Sequence, residues 1–467
     1  MEETQHPLRR LYRRYLTRYW WARKLKPFVL RAWFGGRHFR HVVGWRLSRL
    51  LHVMAYGLEQ RKWRLSHLLY GMAYKLDQGA ALFFTMITLE EYCKSHDPKR
   101  YTLTRAQTVT LDMPVVHPVH FRTRLHAGSW PLAIPSVLAI EIHDAEVMGK
   151  CDFIFNESRC LHHGLYRWER DLPAEEIHGM LGINAKRKRV ARYAKAKETA
   201  MVLDQAISLI GSASANYVHW LTETAPKLAL IDEIDGLKAY PLIIDAGLHP
   251  NIIESLNCLN THCREIVPLE RGQLCKVGKL IAISPVAYAP FDYRRGFAPD
   301  LECIDPGWAM FVPRGLHKLR EKLLTRMGGG GQVPGRRLYL RRTSRFRAMH
   351  NAAEVEALLR ESGFQVIEPE TLSFVEQIRL FSEAESVVAQ AGAALGNIIF
   401  APQGCRVVIL SAWSPFSIYY YFSNLASIFG QKCTFVLCEP DGQEGNEHPA
   451  HKELKVDIQT LKEAIDQ

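Results

Sequence analysis

The sequence predicts an α/β fold whose C-terminal half is a doubly wound parallel sheet, preceded by a basic helical region. Three observations carry that prediction. From residue 338 onward, short apolar runs of strand length alternate with amphipathic stretches of helical length, punctuated by caps and breakers. Across 386–397 a buried-type strand, a small-residue turn at Gln390-Ala391-Gly392 and an apolar helix start follow one another. The formal charge of +12 is concentrated at the N-terminus, where residues 1–64 hold sixteen Lys/Arg against three Glu, leaving the rest near neutrality.

With 467 residues, 47% of them hydrophobic and 23% charged, the chain is long enough for two to three domains with their own cores, and disorder is not its default. Ten cysteines are scattered singly, without a Cys-x-x-Cys pair or a short Cys/His spacing. That pattern argues for reduced thiols in a cytoplasmic compartment, against a disulfide framework and against a zinc site. No stretch reaches the roughly eighteen apolar residues of a spanning helix, and the basic, interrupted first thirty residues do not read as a secretory signal.

The first region, 1–98, carries apolar residues at helical spacing (Leu8, Leu11, Tyr12, Tyr15, Leu16, Tyr19) with Arg9, Arg10, Arg13, Arg14 and Arg18 between them. A second such stripe runs from Val43 to Leu58, with Arg40, Arg46 and Arg49 beside it. Basic faces opposite aromatic-rich faces suit helices lying on an anionic membrane surface. A solvated basic subdomain fits the same pattern, whereas no recognised nucleic-acid motif accompanies the charge. The helical reading continues over 65–94 and ends at His96-Asp97-Pro98.

Residues 99–330 read as the next domain. Short strands are expected at 109–111, 132–134, 137–142, 145–148 and 153–155, separated by Pro, His and Gly. Over 207–232, Ser212-Ala-Ser-Ala-Asn216 gives turn and cap chemistry for a following helix, on which His219 and Glu223 are four apart and share one face. A base with its orienting carboxylate is the functional reading of that pair; a surface hydrogen-bonded pair is the plain structural one. Strand and helix then alternate at 242–245, 251–260, 265–268 and 278–284, the rhythm of a Rossmann-like half. A long helix over 306–327 ends in Gly328-Gly-Gly-Gly331, which is a hinge and not a phosphate loop, because no Gly-Lys-Ser/Thr follows.

In the last domain, 331–467, strands are expected at 338–340, 364–367, 387–389, 405–410 and 433–437. Asn351 caps a helix that Gly363 ends, and Ser373-x-x-Glu376 is a capping box. Five strands alternating with helices bind ligands at their carboxyl ends. Two motifs lie there: the turn Gln390–Ala393, whose small residues let a phosphate approach backbone N–H groups, and Arg341, Arg342, Arg345 and Arg347, four guanidiniums matched to a diphosphate.

Taken together, Asn216-Tyr-x-His219-Trp-Leu-x-Glu223-x-x-Pro226, Tyr339-Leu-x-Arg342 with Arg347 and Asn351, Phe374-x-Glu-Gln377, and Gly392-Ala-x-Leu-x-Asn397 resemble the glycosyltransferase 61 family over about 207–410. The resemblance implies a GT-B-like, inverting glycosyltransferase of two Rossmann-like domains, with no obligatory metal or other cofactor. The resemblance implies a nucleotide-sugar, UDP-linked, that would lie in the C-terminal domain against Arg341, Arg342, Arg345, Arg347, Glu370, Gln390, Gly392, Ala393 and Asn397. His219 and Glu223 would be catalytic. Bacterial relatives serve capsule or lipopolysaccharide synthesis, which implies a glycan or lipid-linked acceptor and a place on the inner face of the cell membrane. Two positions depart from the family pattern: Gln390 stands where His is frequent and Ala352 where Glu is frequent, so a catalytically silent scaffold of the same fold is the alternative reading.

Overall fold

The computed structural model describes residues 82–168, 171–192, 201–290, 305–327, 334–342, 348–414, 419–441 and 453–466. The charged helices expected over 1–81, Arg345, Arg347 and the glycine hinge lie outside the described residues. The chain divides into two units, and the larger (84–175, 184–190 and 198–467) holds the sheets and cavities that matter below. It is a mixed α/β assembly.

The first elements are β1 (Leu82–Thr88), α1 (Leu89–His96), β2 (Arg100–Thr104), β3 (Gln107–Asp112), β4 (Val115–His117), β5 (Ser129–Ile134), β6 (Val137–Met148), β7 (Ile154–Asn156) and β8 (Arg159–His162). The helix expected through 65–94 is thus a strand over 82–88 and a helix only from Leu89 onward, ending at His96-Asp97 as expected. In Leu82-Phe-Phe-Thr-Met-Ile-Thr88 the alternate residues Phe84 and Met86 are buried, a two-residue period, and the strand pairs in parallel with β8. Thr88 then opens α1 with a capping box to Glu91. The two strands expected at 137–142 and 145–148 are one: β6 passes through Asp144, which takes a left-handed conformation (φ 49°), without leaving the sheet.

Next come β9 (Met201–Ser208), α2 spanning 217–231, β10 (Leu242–Asp245), α3 (Pro250–Leu259), β11 (Ile266–Leu269), β12 (Leu274–Ile283), the short pair β13 (Ala287–Tyr288) and β14 (Met310–Phe311), and α4 (Pro313–Arg326). The long helix expected from residue 306 begins only at Pro313. Trp308, Met310 and Phe311 are buried, and Met310–Phe311 is drawn into a strand pair, while proline is pre-organised for a first helical position. On α4, Leu316, Leu319 and Leu323 are fully buried, each stabilising the fold by about 1.5–3 kcal/mol.

The N-terminal sheet runs β11-β10-β9-β12-β6-β7-β8-β1. Its first four strands are mutually parallel and β6 is antiparallel to β12. The chain leaves β9 to build β10 and β11 on one side, then crosses back to place β12 on the other. The strand order therefore reverses between β9 and β12, and in such sheets a crevice opens there at the carboxyl ends.

The C-terminal sheet contains β15 (Arg336–Leu340), β16 (Gln365–Ile367), β17 (Ala384–Gln390), β18 (Arg406–Ala412) and β19 (Lys432–Cys438), with α5 (Ala352–Glu361), α6 (Phe374–Ser382), α7 (Tyr420–Ile428) and α8 (Ile458–Asp466). All pairs in the order β16-β15-β17-β18-β19-β4 are parallel. The five expected strands are present, and a sixth, β4, joins them from residues read as part of the preceding domain. The order reverses between β15 and β17. Ser373 and Glu376 form the expected capping box on α6. Asn351 does not cap α5 through its side chain; its amide instead donates to Val456 O (2.8 Å) and accepts from Val456 N (3.0 Å). The segment Ala393–Phe400 is a 3-10 helix, tighter than the α-helix expected. One apolar core, including Trp220, Leu228, Leu338, Val387 and Phe400, runs through both halves.

Candidate functional site

The N-terminal crevice is built around α2. Asn216 caps it, its side chain accepting from Val218 N–H at 3.1 Å. Pro226 lies inside the helix, where it lacks an N–H and its ring would collide with the carbonyl four residues back. The helix answers with a π-turn over Trp220–Thr224, so that Ala225 N–H bonds Trp220 O, five residues earlier. Thr222 Oγ1 donates to Val218 O (2.8 Å) within the same turn.

His219 sits at the entry to this turn, its Nδ1 2.5 Å from Glu223 Oε1. Both side chains are about one-quarter exposed. The Tyr421 ring from α7 packs edge-on against the imidazole at 5.6 Å. Burial pulls the His219 pKa down, but the charge and hydrogen bond of Glu223, with help from Asp152, outweigh it and the net shift is upward. Such a partner orients the imidazole and leaves Nε2 as the atom that exchanges a proton.

Lys227 follows one turn later, so His219, Glu223 and Lys227 form an i, i+4, i+8 stripe. All three line a cavity of about 120 Å³ at the carboxyl ends of β9 and β12, together with Asp152, His163, Tyr166 and Tyr288. Burial lowers the Lys227 pKa, opposed by Asp152 and Glu223. Asp245, buried behind the lining, braces it: its Oδ2 accepts from Gly211 N–H (3.0 Å) and from the Ser214 hydroxyl, and its Oδ1 from Lys150 N–H (2.6 Å). These bonds hold the 211–214 turn in place ahead of the cap at Asn216.

The C-terminal crevice is a cavity of about 280 Å³ lined by Arg341, Arg342, Glu370, Gln390, Gly392 and Ala393, with Asn216 from the other half. Arg341 and Arg342 follow β15 directly, and Gln390 ends β17, so the two strands flanking the order reversal supply both motifs. Burial lowers the Arg342 pKa, with Glu370 opposing. The guanidinium lies against Gly392: a Cβ there would come within 2.6 Å of Arg342 Nη1. Gly392 is extended (φ 178°), so a side chain there would displace the guanidinium without straining the backbone. The first N–H groups of the 3-10 helix, at Ala393 and Ala394, have no partner within the helix by position.

Of the residues expected to bind the donor, Arg341, Arg342, Glu370, Gln390, Gly392 and Ala393 meet at this cavity. Arg341 Nε is paired with Glu368 at 3.2 Å. Asn397 is fully buried, donating to Gln377 Oε1 (2.6 Å) and accepting from Tyr217 Oη (2.8 Å). It ties α2 and α6 together beneath the turn. His219 and Glu223 are brought together as their spacing predicts, whereas Lys227, Asp152, His163 and Tyr166 were not singled out. The i+8 spacing was a usable signal for Lys227; the others reach the cavity only through the fold.

The glycosyltransferase 61 family model matches residues 217–408, a stretch that contains the His219–Glu223 pair, Arg342 and the Gly392 turn. Over that stretch the chain is similar to the glycosyltransferase 61 family. A search of curated proteins finds no match to the chain.

Proposed function

We propose that the chain is an inverting, GT-B-like glycosyltransferase of two Rossmann-like domains that transfers a sugar from a UDP-linked donor to a glycan or lipid-linked glycan of a cell-surface polysaccharide. The observation that best supports this is the helix start shared by the crevices: Asn216 lines the cavity of Arg342 and Gly392, and three residues on, His219 lines the other.

The donor diphosphate lies against Arg342 and the Ala393 N–H, with Arg341 as a further cation, Gln390 hydrogen-bonding and Glu370 facing the nucleoside. Guanidiniums and oriented N–H groups stabilise the charge that develops on the leaving diphosphate, so the reading needs no metal. His219, steered by Glu223, takes the proton of the acceptor hydroxyl as that oxygen attacks the anomeric carbon from the face opposite the leaving group, which inverts the configuration. The N-terminal arm holds the enzyme on an anionic membrane surface. Among the described residues no helix is long and apolar enough to cross a membrane. Salt-sensitive sedimentation of the full chain with anionic vesicles tests the arm.

A calorimetric screen of nucleoside diphosphates and nucleotide-sugars tests the donor site. Binding of a UDP-sugar, followed by transfer to a glycan, supports the reading. Binding without turnover on any glycan moves the weight to a silent scaffold, and no nucleotide binding removes the donor site.

A further inference from the structure

Resting on the glycosyltransferase reading, we propose that the N-terminal cavity is a subsite for one neutral sugar ring, the terminal residue of the acceptor, stacked on Tyr166 and His163 and read at its hydroxyls by Asp152 and Lys227.

Size sets the first limit. At about 120 Å³ the cavity is well below the roughly 300–1,000 Å³ of pockets that enclose larger ligands, so it takes a single ring and leaves the remainder of a glycan outside.

The lining sets the second. His163 and Tyr166 have ring centroids 4.3 Å apart, and Tyr288 lies 5.3 Å from the first and 6.0 Å from the second. Such a cluster offers apolar faces with polar rims, the complement of a sugar ring, which has an apolar C–H face and a hydroxyl edge. His163 Nδ1 accepts from Leu165 N–H at 3.0 Å, so the ring proton sits on Nε2, where it can donate. Burial holds this imidazole neutral, its pKa lowered to about 3.

Polar groups set the third. Asp152 Oδ2 accepts both the N–H and the hydroxyl of Ser212 (3.2 and 2.5 Å), which leaves Oδ1 for a ligand hydroxyl. A Cβ at Gly211 would lie 2.9 Å from that Oδ1, so the glycine leaves the oxygen room where it stands. Lys227 makes no hydrogen bond or ion pair with another described residue, although half-buried in the lining. An ammonium donor and a carboxylate acceptor in one small cavity suit a neutral polyol that can both accept and donate. An acidic sugar would bring its own carboxylate beside Asp152 and Glu223, at a cost in repulsion.

The full-length protein is titrated by saturation-transfer NMR with the methyl glycosides of glucose, galactose, mannose and xylose and with methyl glucuronide, with and without UDP. At least one neutral glycoside is expected to bind in the millimolar range, and methyl glucuronide about tenfold more weakly. Tyr166→Ala and the length-matched Lys227→Met are each expected to weaken neutral-glycoside binding about tenfold, with UDP affinity and melting temperature unchanged for Lys227→Met. The proposal is overturned if no neutral glycoside binds, if Lys227→Met binds it as the wild type does, or if the glucuronide binds more tightly. Absence of a UDP response counts against the donor reading alone, because the glycoside titration without UDP still decides the subsite.

Discussion

The two crevices occupy equivalent places, each at the carboxyl ends of parallel strands where the strand order reverses, yet they are furnished in opposite ways. The C-terminal one is made of small residues and a guanidinium: Gly392 and Ala393 offer backbone, and Arg342 offers a charge that burial lowers only from a very high starting value. The N-terminal one collects groups whose protonation is displaced in both directions, with His219 and Asp152 raised and Lys227 lowered. The contrast is between fixed charge and movable protons. A leaving diphosphate calls for cations that do not titrate near neutrality, whereas an attacking hydroxyl calls for a group that does.

The largest test of that contrast is His219→Ala. Turnover should fall by about 10² to 10⁴ while donor affinity stays level, as measured by initial rates beside nucleotide titrations. A proportionate loss of donor binding would erase the division between the crevices. Arg342→Ala should do the reverse, weakening nucleotide binding by about 1.5–3 kcal/mol in a protein that melts as the wild type does. Unchanged UDP affinity would take the guanidinium out of the donor site.

Glu223→Gln sharpens the comparison through pH. Glu223 raises the His219 pKa against the pull of burial, so removing its charge should move the acid limb of the rate profile to lower pH, with a smaller loss of turnover than His219→Ala. An unmoved limb would assign it to another group. The smallest effect is on stability. Glu175, fully buried, accepts the Asp152 N–H at its Oε1, and burial followed by the Asp152 charge holds its pKa well above the ordinary 4.5. The folded state then binds this proton more tightly than the unfolded chain, so stability is lost as pH rises above 4.5. Glu175→Gln mimics the protonated form. Its melting temperature should match the wild type near pH 4.5 and exceed it increasingly toward neutrality; a constant offset would contradict the linkage.

Local signals were read well in the sequence. The capping box at Ser373, the turn at Gln390–Ala393 and the His219–Glu223 pair each depend on residues within a few positions of one another, and each stands where it was expected. Two misreadings came from ambiguous periods. Leu82–Thr88 is too short to separate a two-residue from a 3.6-residue repeat, and 306–312 runs apolar residues straight into the helical pattern of α4, although it forms a 3-10 turn at Pro306–Trp308 and a strand pair at Met310–Phe311. Other features had no local signal at all. Asp152 and His163 enter the cavity because the antiparallel strands β6 to β8 deliver them there, and β4 finds its partner across most of the chain.

That last pairing bears on how the protein is made. Val115–His117 aligns with Thr434–Val436, so β4 has no partner until about 320 further residues have left the ribosome. At about 5–20 residues per second, the interval is roughly 15–60 s, during which β4 waits without its partner. A fragment that begins after the glycine run would carry β19 with an unpaired, apolar edge, a template for association with other copies. The C-terminal half is therefore expected to be aggregation-prone when expressed alone and to become soluble when the segment carrying β4 is supplied beside it.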